Sequence, residues 1–299
     1  MKLDGTDSAK ARASHLVSRK VTLRVPRKDA TKNGRISSLG TARINEQCLK
    51  TYLEWRDYNG LPRGEQDNKR QLITYLEERA EVLKQSSLNQ SKNALQLMFG
   101  VRLPNVISEV ETILSTRSYS PNEFAQTVQH QSERNALFAC LAWCSGLRAH
   151  ESATLRRMDE LSASPNRRWS PHRFDGMIDY RLYVVKGKGG LQREVAVPLA
   201  LADALELRRL DNAVKVVDRG VFYETHYDVG FGQAASQSFT DASVRALGLS
   251  RGAHGLRHSY VKNRTNCLTS RGYSFDEAQL IVSQEVGHFR PSITIAYYR

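Results

Sequence analysis

Apolar positions recur at three-to-four spacing in three successive stretches of the chain's first third: Ile44, Cys48, Leu49, Tyr52 and Leu53; Ile73, Leu76, Ala80 and Leu83; Leu95, Met98 and Phe99. That period gathers each set on one face of a helix. Asn59-Gly60 and Ser86-Ser87 punctuate the stretches, so a small all-helical domain of three or four helices is predicted over residues 36–116. The polar run Ser115-Thr116-Arg117-Ser118-Tyr119-Ser120-Pro121 then predicts a domain boundary and a linker able to let two domains close around something.

The second domain, residues 117–299, mixes both periods. A helix is expected from about Asn122, followed by Ala136-Leu137-Phe138-Ala139-Cys140-Leu141-Ala142-Trp143-Cys144, apolar on every side and therefore a helix inside the core. Gly146 is its stop, and Leu147-Arg148-Ala149-His150-Glu151 opens a further helix with Leu155 and Met158. Residues 159–176 read as a polar loop. Ile178, Tyr180, Leu182 and Val184 alternate, as do Val195 and Val197, which predicts a β-hairpin whose tip is Lys186-Gly187-Lys188-Gly189-Gly190. No Gly-Lys-Ser/Thr follows, so a phosphate-binding P-loop is excluded. Residues 199–211 read as a helix and 213–235 as an irregular connection. A helix runs from His254 to about Cys267, and Ser274-Phe275-Asp276-Glu277 is a capping box that starts another through Val286. Gly287 ends that helix, His288 projects from the turn, and Pro291 suits the first turn of a last short helix carrying Tyr297. The fold class expected is mainly α with a small antiparallel β-sheet.

Composition adds a partner. A length of 299 residues suits two domains, and a net charge of +13 favours a polyanion. Ten Lys/Arg against three Asp fall in residues 1–35, with few large apolar side chains. That segment reads equally as a mobile basic arm or as a plain solubilising tail, with Lys20, Arg24 and Lys28 as candidate contacts to the polyanion. Hydrophobic residues make up 40% of the chain but never form a run long enough to span a bilayer, and no secretory signal is visible. Cys48, Cys140, Cys144 and Cys267 make no CxxC or Cys/His pair at zinc spacing. They read as buried thiols in a reducing compartment, and no metal site is expected.

The chemistry lies in the second domain. A phosphodiester resists attack because its phosphorus is ringed by negative charge, and two arginines that pair with the non-bridging oxygens reduce that repulsion. Arg148 and Arg257 are the candidates. Tyr297 would be the nucleophile once its proton is withdrawn, with Tyr298 its rival on composition alone. Lys188, on the hairpin, would protonate the leaving 5′ oxygen. His254 would act as acid/base or hydrogen-bond partner, His288 would bond the phosphate, and Glu151 would orient a cationic or imidazole neighbour. Lys186 and Arg193 flank the hairpin tip as further candidate contacts to the polyanion. Each residue alone has a plainer reading: a capping or solvated arginine, a turn lysine, a structural histidine, a packed tyrosine. Order and spacing together outweigh these.

Gly146-Leu147-Arg148-Ala149-His150-Glu151, Gly187-Lys188-Gly189, His254-Gly255-Leu256-Arg257-His258-Ser259, Gly287-His288 and Tyr297 resemble, in order, the signature of the tyrosine recombinases, or phage integrase family. The match spans the whole second domain, and the first is similar in kind to the family's helical core-binding domain. The resemblance implies a site-specific DNA recombinase or integrase. Arg148, Lys188, His254, Arg257 and His288 would activate the phosphate, and Tyr297 would form a 3′-phosphotyrosyl link without metal, ATP or any cofactor. It further implies double-stranded DNA attachment sites, a homotetramer exchanging strands through a Holliday junction, possible accessory DNA-bending or directionality factors, and no membrane. Integration or excision of a mobile element in a bacterial or phage setting, in the nucleoid-associated cytoplasm, would be its role. The sequence ends two residues after Tyr297, where family members commonly continue into a segment that packs on a neighbouring protomer. The basic arm is too short for a separate arm-type DNA-binding domain. Two other readings stay open: a DNA-relaxing topoisomerase of type IB kind, and a DNA-binding regulator that has lost catalysis. A general nuclease is disfavoured by the lack of a carboxylate cluster.

Overall fold

The computed structural model describes residues 8–63, 68–110 and 117–289. It divides into two compact units, Met1–Ile113 and Leu114–Arg299.

In the first unit, α1 (Ala9–Ser18), α2 (Arg27–Lys32), α3 (Leu39–Tyr58), α4 (Lys69–Ala80) and α5 (Gln85–Phe99) enclose a core of Leu49, Tyr52, Leu72, Tyr75, Leu76 and Leu95. Asn68 and Gln71 cap α4 reciprocally, and Gly100, at φ 69°, ends α5 in the left-handed region. The stripe on α3 is set by Asn45, Leu49, Tyr52 and Leu53, while Ile44 faces solvent.

The segment expected as a mobile basic arm is folded from Ser8 onward. The Ser8 side chain caps α1, whose Ala9, Ala13 and Val17 are buried, and α1 packs along α3. Arg12 pairs with Asp57 of α3, and the chain returns through Thr22 N–H to Ile36 C=O at 2.8 Å and Ile36 N–H to Lys20 C=O at 2.9 Å. The physical reason is side-chain size. Two alanines and a valine at four-residue spacing let the helices approach closely, and a count of large apolar residues overlooks such a stripe. Arg24 and Lys28 are exposed and Lys20 is half-buried.

In the second unit, α6 (Pro121–Val128) and α7 (Glu133–Ser145) lead to a three-stranded antiparallel sheet of β1 (Arg156–Arg157), β2 (Tyr180–Lys186) and β3 (Gln192–Pro198). Next come α8 (Leu199–Glu206), the pair β4 (Arg209–Asp218) and β5 (Val221–Tyr227), then α9 (Gly232–Leu247), α10 (His254–Thr269) and α11 (Phe275–Glu285). This is the mainly helical fold expected, with two small antiparallel sheets rather than one. On α7, Leu137, Phe138, Ala139, Leu141 and Ala142 are buried in the main core beside the sheet, and α10 packs on both α7 and α11. Among the described residues no helix is long and apolar enough to cross a membrane.

Three local expectations change. After Arg148 the chain makes only one 3-10 turn, Glu151–Thr154, because Leu155 is extended (φ −58°, ψ 132°) and the Thr154 hydroxyl accepts from Lys186 N–H at 3.0 Å. That bond draws the chain into β1 instead of a helix carrying Met158. The hairpin forms with Lys186 opposite Gln192, but the main core takes Tyr183 and Val185 rather than the alternating set, and Ile178 is exposed. Val184 is buried on the opposite face, and a strand covered on both sides blurs alternation. Residues 207–235, expected as a helix end and an irregular connection, contain the β4–β5 hairpin. Its turn is Arg219-Gly220, with φ of 48° and 73°, the doubly left-handed geometry that hairpins favour, here without the Asn-Gly that announces it.

Candidate active site

Four segments that the sequence keeps apart meet at the C-terminal end of α7. Gly146, at φ 61°, stops that helix, and a Cβ there would stand 2.6 Å from the Tyr260 ring of α10. The chain therefore turns tightly against α10, bringing Arg148 out of the turn. Glu151 then folds back beneath it: one carboxylate oxygen accepts the Arg148 backbone N–H at 2.8 Å and the other accepts its guanidinium at 2.7 Å.

Arg257 reaches the same carboxylate from α10, 3.8 Å away, with no part of its side chain exposed. Its guanidinium also donates to the carbonyls of Gly146 and Val286, joining the ends of α7 and α11. The neighbours of Arg257 explain its motif. A Cβ on Gly255 would lie 2.5 Å from the Arg117 carbonyl, so only glycine lets α10 start this close to the strand of chain before α6. Leu256 fills the core, and Ser259 both accepts from Tyr119 N–H at 2.8 Å and donates to Tyr119 C=O at 3.0 Å. His254 opens the helix with its ring edge-on to the buried His258, centroids 5.3 Å apart.

At the end of α11, Gly287 adopts φ 71° and His288 N–H donates back to Ser283 C=O at 2.7 Å. This turn aims the imidazole at Arg257, whose guanidinium lies 3.3 Å from His288 Nε2. An arginine always donates, so Nε2 is the accepting nitrogen in this arrangement. The β2–β3 hairpin supplies the fourth segment. A Cβ on Gly187 would be 2.9 Å from Glu151 Oε1 and 3.8 Å from Arg148 Nη1, so the root of the hairpin rests directly on that ion pair. Lys188 begins the 3-10 turn Lys188–Gly190 at the tip, and Lys186 is exposed.

The electrostatics follow from the packing. Burial pushes Glu151 up, but Arg193, Arg257 and Arg148 outweigh it and hold the carboxyl well below the usual carboxylate range. Partial burial lowers His288 to about 3 and His254 to about 4, reinforced in both cases by Arg257 and Arg148. Both imidazoles are therefore neutral near pH 7. Three guanidiniums around one carboxylate leave the cluster with an excess of two positive charges, which suits an anion.

Arg193 is not at the surface, as a DNA contact would require. It is 1% exposed and donates to Glu151 at 2.7 Å and to the Glu285 carbonyl at 2.6 Å. Its place in β3 explains this, since it shares the inward parity of Val195 and Val197, a signal already present in the alternation. Sequence reasoning also missed Glu285, which accepts from Arg264 at 2.8 and 3.0 Å and from the Tyr260 hydroxyl at 2.8 Å, and so anchors the end of α11 ahead of His288. Arg148, Glu151, Arg257, His288 and the Lys188 hairpin are thus brought together, with His254 at the head of α10. Tyr297 and its rival Tyr298 lie outside the described residues.

Comparison with solved structures finds XerH site-specific recombinase bound to palindromic difH substrate in a post-cleavage complex. The TM-score is 0.57 at 15% identity, over 98% of this chain and 85% of that one. A lambda integrase dimer bound to a COC′ core site matches at 0.55 and 15% identity, over 99% of this chain and 82% of that one. The chain has the tyrosine-recombinase fold. XerH in a pre-cleavage complex with difH shares it at 0.54 and 16% identity, over 90% of this chain and 79% of that one. By sequence, no family model and no curated relative matches. The mainly helical character of the chain, with its two small antiparallel sheets, matches that fold.

Proposed function

We propose that the protein is a site-specific DNA recombinase that cuts and rejoins strands through a covalent tyrosyl-phosphate. The observation that carries this reading is the pair Arg148 and Arg257, held on one buried carboxylate beside His288, with the Lys188 hairpin rooted against them. Arg148 and Arg257 would bind the non-bridging oxygens of the scissile phosphate, and fixed charge of this kind acts most strongly as the transition state gains charge. Tyr297 would attack phosphorus, forming a 3′-phosphotyrosyl bond as the bond to the 5′ oxygen breaks. Lys188 would pass a proton to that oxygen. A neutral His254 is suited to take the tyrosine's proton, and His288, in the tautomer that carries its proton on Nε2, to donate to a phosphate oxygen. The reverse attack by another strand's 5′-hydroxyl completes strand transfer with no cofactor. XerH and lambda integrase, described bound to DNA, support double-stranded DNA as the partner. Four protomers at paired attachment sites, aided by accessory bending or directionality factors, and a role in integrating or excising a mobile element, complete the proposal.

The test is incubation with nicked suicide substrates carrying the attachment site, which direct repeats in the DNA flanking the gene would reveal. Covalent protein–DNA adducts are expected, lost in Tyr297→Phe while DNA binding is retained. Adducts that persist in that variant move the nucleophile to Tyr298 or elsewhere. Supercoil relaxation without recombinant product would instead identify a relaxing topoisomerase, and binding with no adduct on the correct site a regulator. Magnesium-dependent cleavage without a covalent intermediate would overturn the tyrosine mechanism.

A further inference from the structure

Arg193 touches the turns that follow α7 and α11 and is itself almost wholly buried. It stands on β3, five residues after Lys188. Its guanidinium donates to Glu151 Oε2 at 2.7 Å, to the Glu285 carbonyl at 2.6 Å and, more weakly, to the Gly146 carbonyl at 3.4 Å. Gly146 precedes Arg148 by two residues, and Glu285 precedes His288 by three. The Arg193 stem also seats the turn of Gly287, where a Cβ would be 3.0 Å from Cδ of Arg193.

We propose that Arg193 is a positioning residue for the phosphate site. It fixes the Glu151 carboxylate between Arg148 and Arg257 and ties it to the turns that carry Arg148 and His288. The inference rests on the recombinase reading for its effect on cleavage, but the arrangement itself can be tested without DNA.

The Glu151 carboxylate is fully buried, and among the described residues the charged groups that face it are Arg148 from the turn after α7, Arg193 from β3 and Arg257 from α10. His150 lies beside it in the chain, and His288 joins through Arg257. Arg148 is partly exposed and Arg257 stands at 3.8 Å, so among the described residues Arg193 is the one fully buried guanidinium in hydrogen-bond contact with the carboxylate. Among these groups it exerts the strongest pull keeping Glu151 ionised. Without it, burial prevails as pH falls, Glu151 takes up a proton at higher pH, and Arg148 loses the partner that aims it.

The test compares Arg193→Met and Arg193→Lys in the full chain. Adduct formation on suicide DNA would be followed across pH 5 to 9, and thermal unfolding of the same proteins across pH 4 to 8. Arg193→Met is expected to cleave on the order of tenfold to a hundredfold more slowly at pH 8, as when other supporting residues are lost. It should also gain an acid limb absent from the parent, because Glu151 now titrates in range. Adding Glu151→Gln to Arg193→Met should abolish that limb, and Arg193→Lys should restore part of the rate. Unfolding should report the same change: the deficit in melting temperature of Arg193→Met relative to the parent should be largest at pH 8 and narrow as pH falls towards 4, because protonation now relieves the buried carboxylate, whereas in the double variant it should stay level from pH 8 to 5. Cleavage by Arg193→Met at the parental rate overturns the proposal. So does a loss of rate with an unchanged pH profile that merely follows the folded fraction. If the parent forms no adduct on any attachment site, the recombinase reading fails, whereas the unfolding profiles still decide whether Arg193 holds Glu151. If Arg193→Met does not fold, Arg193→Lys carries the decision through its pH profile in both assays.

Discussion

Replacing Glu151 by glutamine would leave Arg148, Arg193 and Arg257 converging on a neutral amide. The side chain is fully buried, and two of its guanidinium partners are too, so water cannot screen the charges left behind. Breaking a buried pair by removing one partner costs about 3–5 kcal/mol. For a unit of this size each kcal/mol lowers Tm by about 2–4 °C, so a drop of roughly 6–20 °C is expected in the unfolding of the second unit. Trp143 and Trp169 report on that unit by fluorescence or near-ultraviolet dichroism. The sign with pH is fixed by the lowered carboxyl. The stability Glu151 contributes is present above its unfolded pKa of about 4.3 and is lost only as pH falls through its lower folded value, so the gap between parent and variant should be constant from pH 5 to 8. Sulfate supplies a diagnostic. An anion that enters the unbalanced cluster restores stability by mass action, about 2.7 kcal/mol at a hundred times its Kd, and should rescue Glu151→Gln more than the parent. A variant that melts within about 2 °C of the parent, with or without sulfate, would refute the view that this carboxylate holds the arginines together.

Other consequences are more local. His288 and His254, lowered to about 3 and 4, are neutral when folded but take up protons near pH 6.5 when unfolded, so Tm should fall as pH drops from about 6.5 towards 4. Histidine ring resonances should stay in the neutral position at pH 6, and protonation of both residues at that pH would contradict the packing described. Gly187→Ala keeps an allowed backbone but sets a methyl 2.9 Å from Glu151 Oε1. It should cost about 1–3 kcal/mol by overpacking, with adduct formation falling more than DNA binding. In the first unit, Ala13→Leu should destabilise by about 1–3 kcal/mol for the same reason, whereas Lys10→Ala, on the exposed side of α1, should be neutral by urea denaturation. Equal effects would mean that α1 does not pack as described.

Which parts of this were legible depended on how locally each residue's role is decided. The 3.6-residue period of α3 to α5 and the capping box of α11 are local, and the helices formed where they pointed. The Gly146, Gly255 and Gly287 positions mark close approaches between elements distant in sequence, and motif order alone carried that information. Arg193 defeated the reading because an arginine beside a basic hairpin tip looks like a surface charge. Its burial is decided by Glu151 and by two carbonyls from other segments, which no window along the chain contains. The arm misled for the opposite reason, since its burial uses alanines, which composition does not count as core. The β4–β5 hairpin has most of its first strand exposed, so little apolar alternation was available to announce it.

The charge balance gives a reason for Arg193 to exist at all. On the proposed function, two arginines directed at one phosphate would repel each other while the site is empty, and because Arg257 is wholly buried a carboxylate between them offsets that repulsion. That carboxylate, however, would also cancel half of the charge intended for the substrate. A third guanidinium on the same carboxylate resolves the conflict: Glu151 and Arg193 offset each other, and the three guanidiniums keep an excess of two positive charges over the one carboxylate. A phosphodiester carries one negative charge before attack and two in a pentavalent transition state, so the excess matches the transition state better than the bound substrate, which is the condition for acceleration rather than mere affinity. It follows that Arg193→Met should reduce the rate of the cleavage step more than it weakens DNA binding, and a variant that lost both in equal proportion would place Arg193 in the scaffold alone.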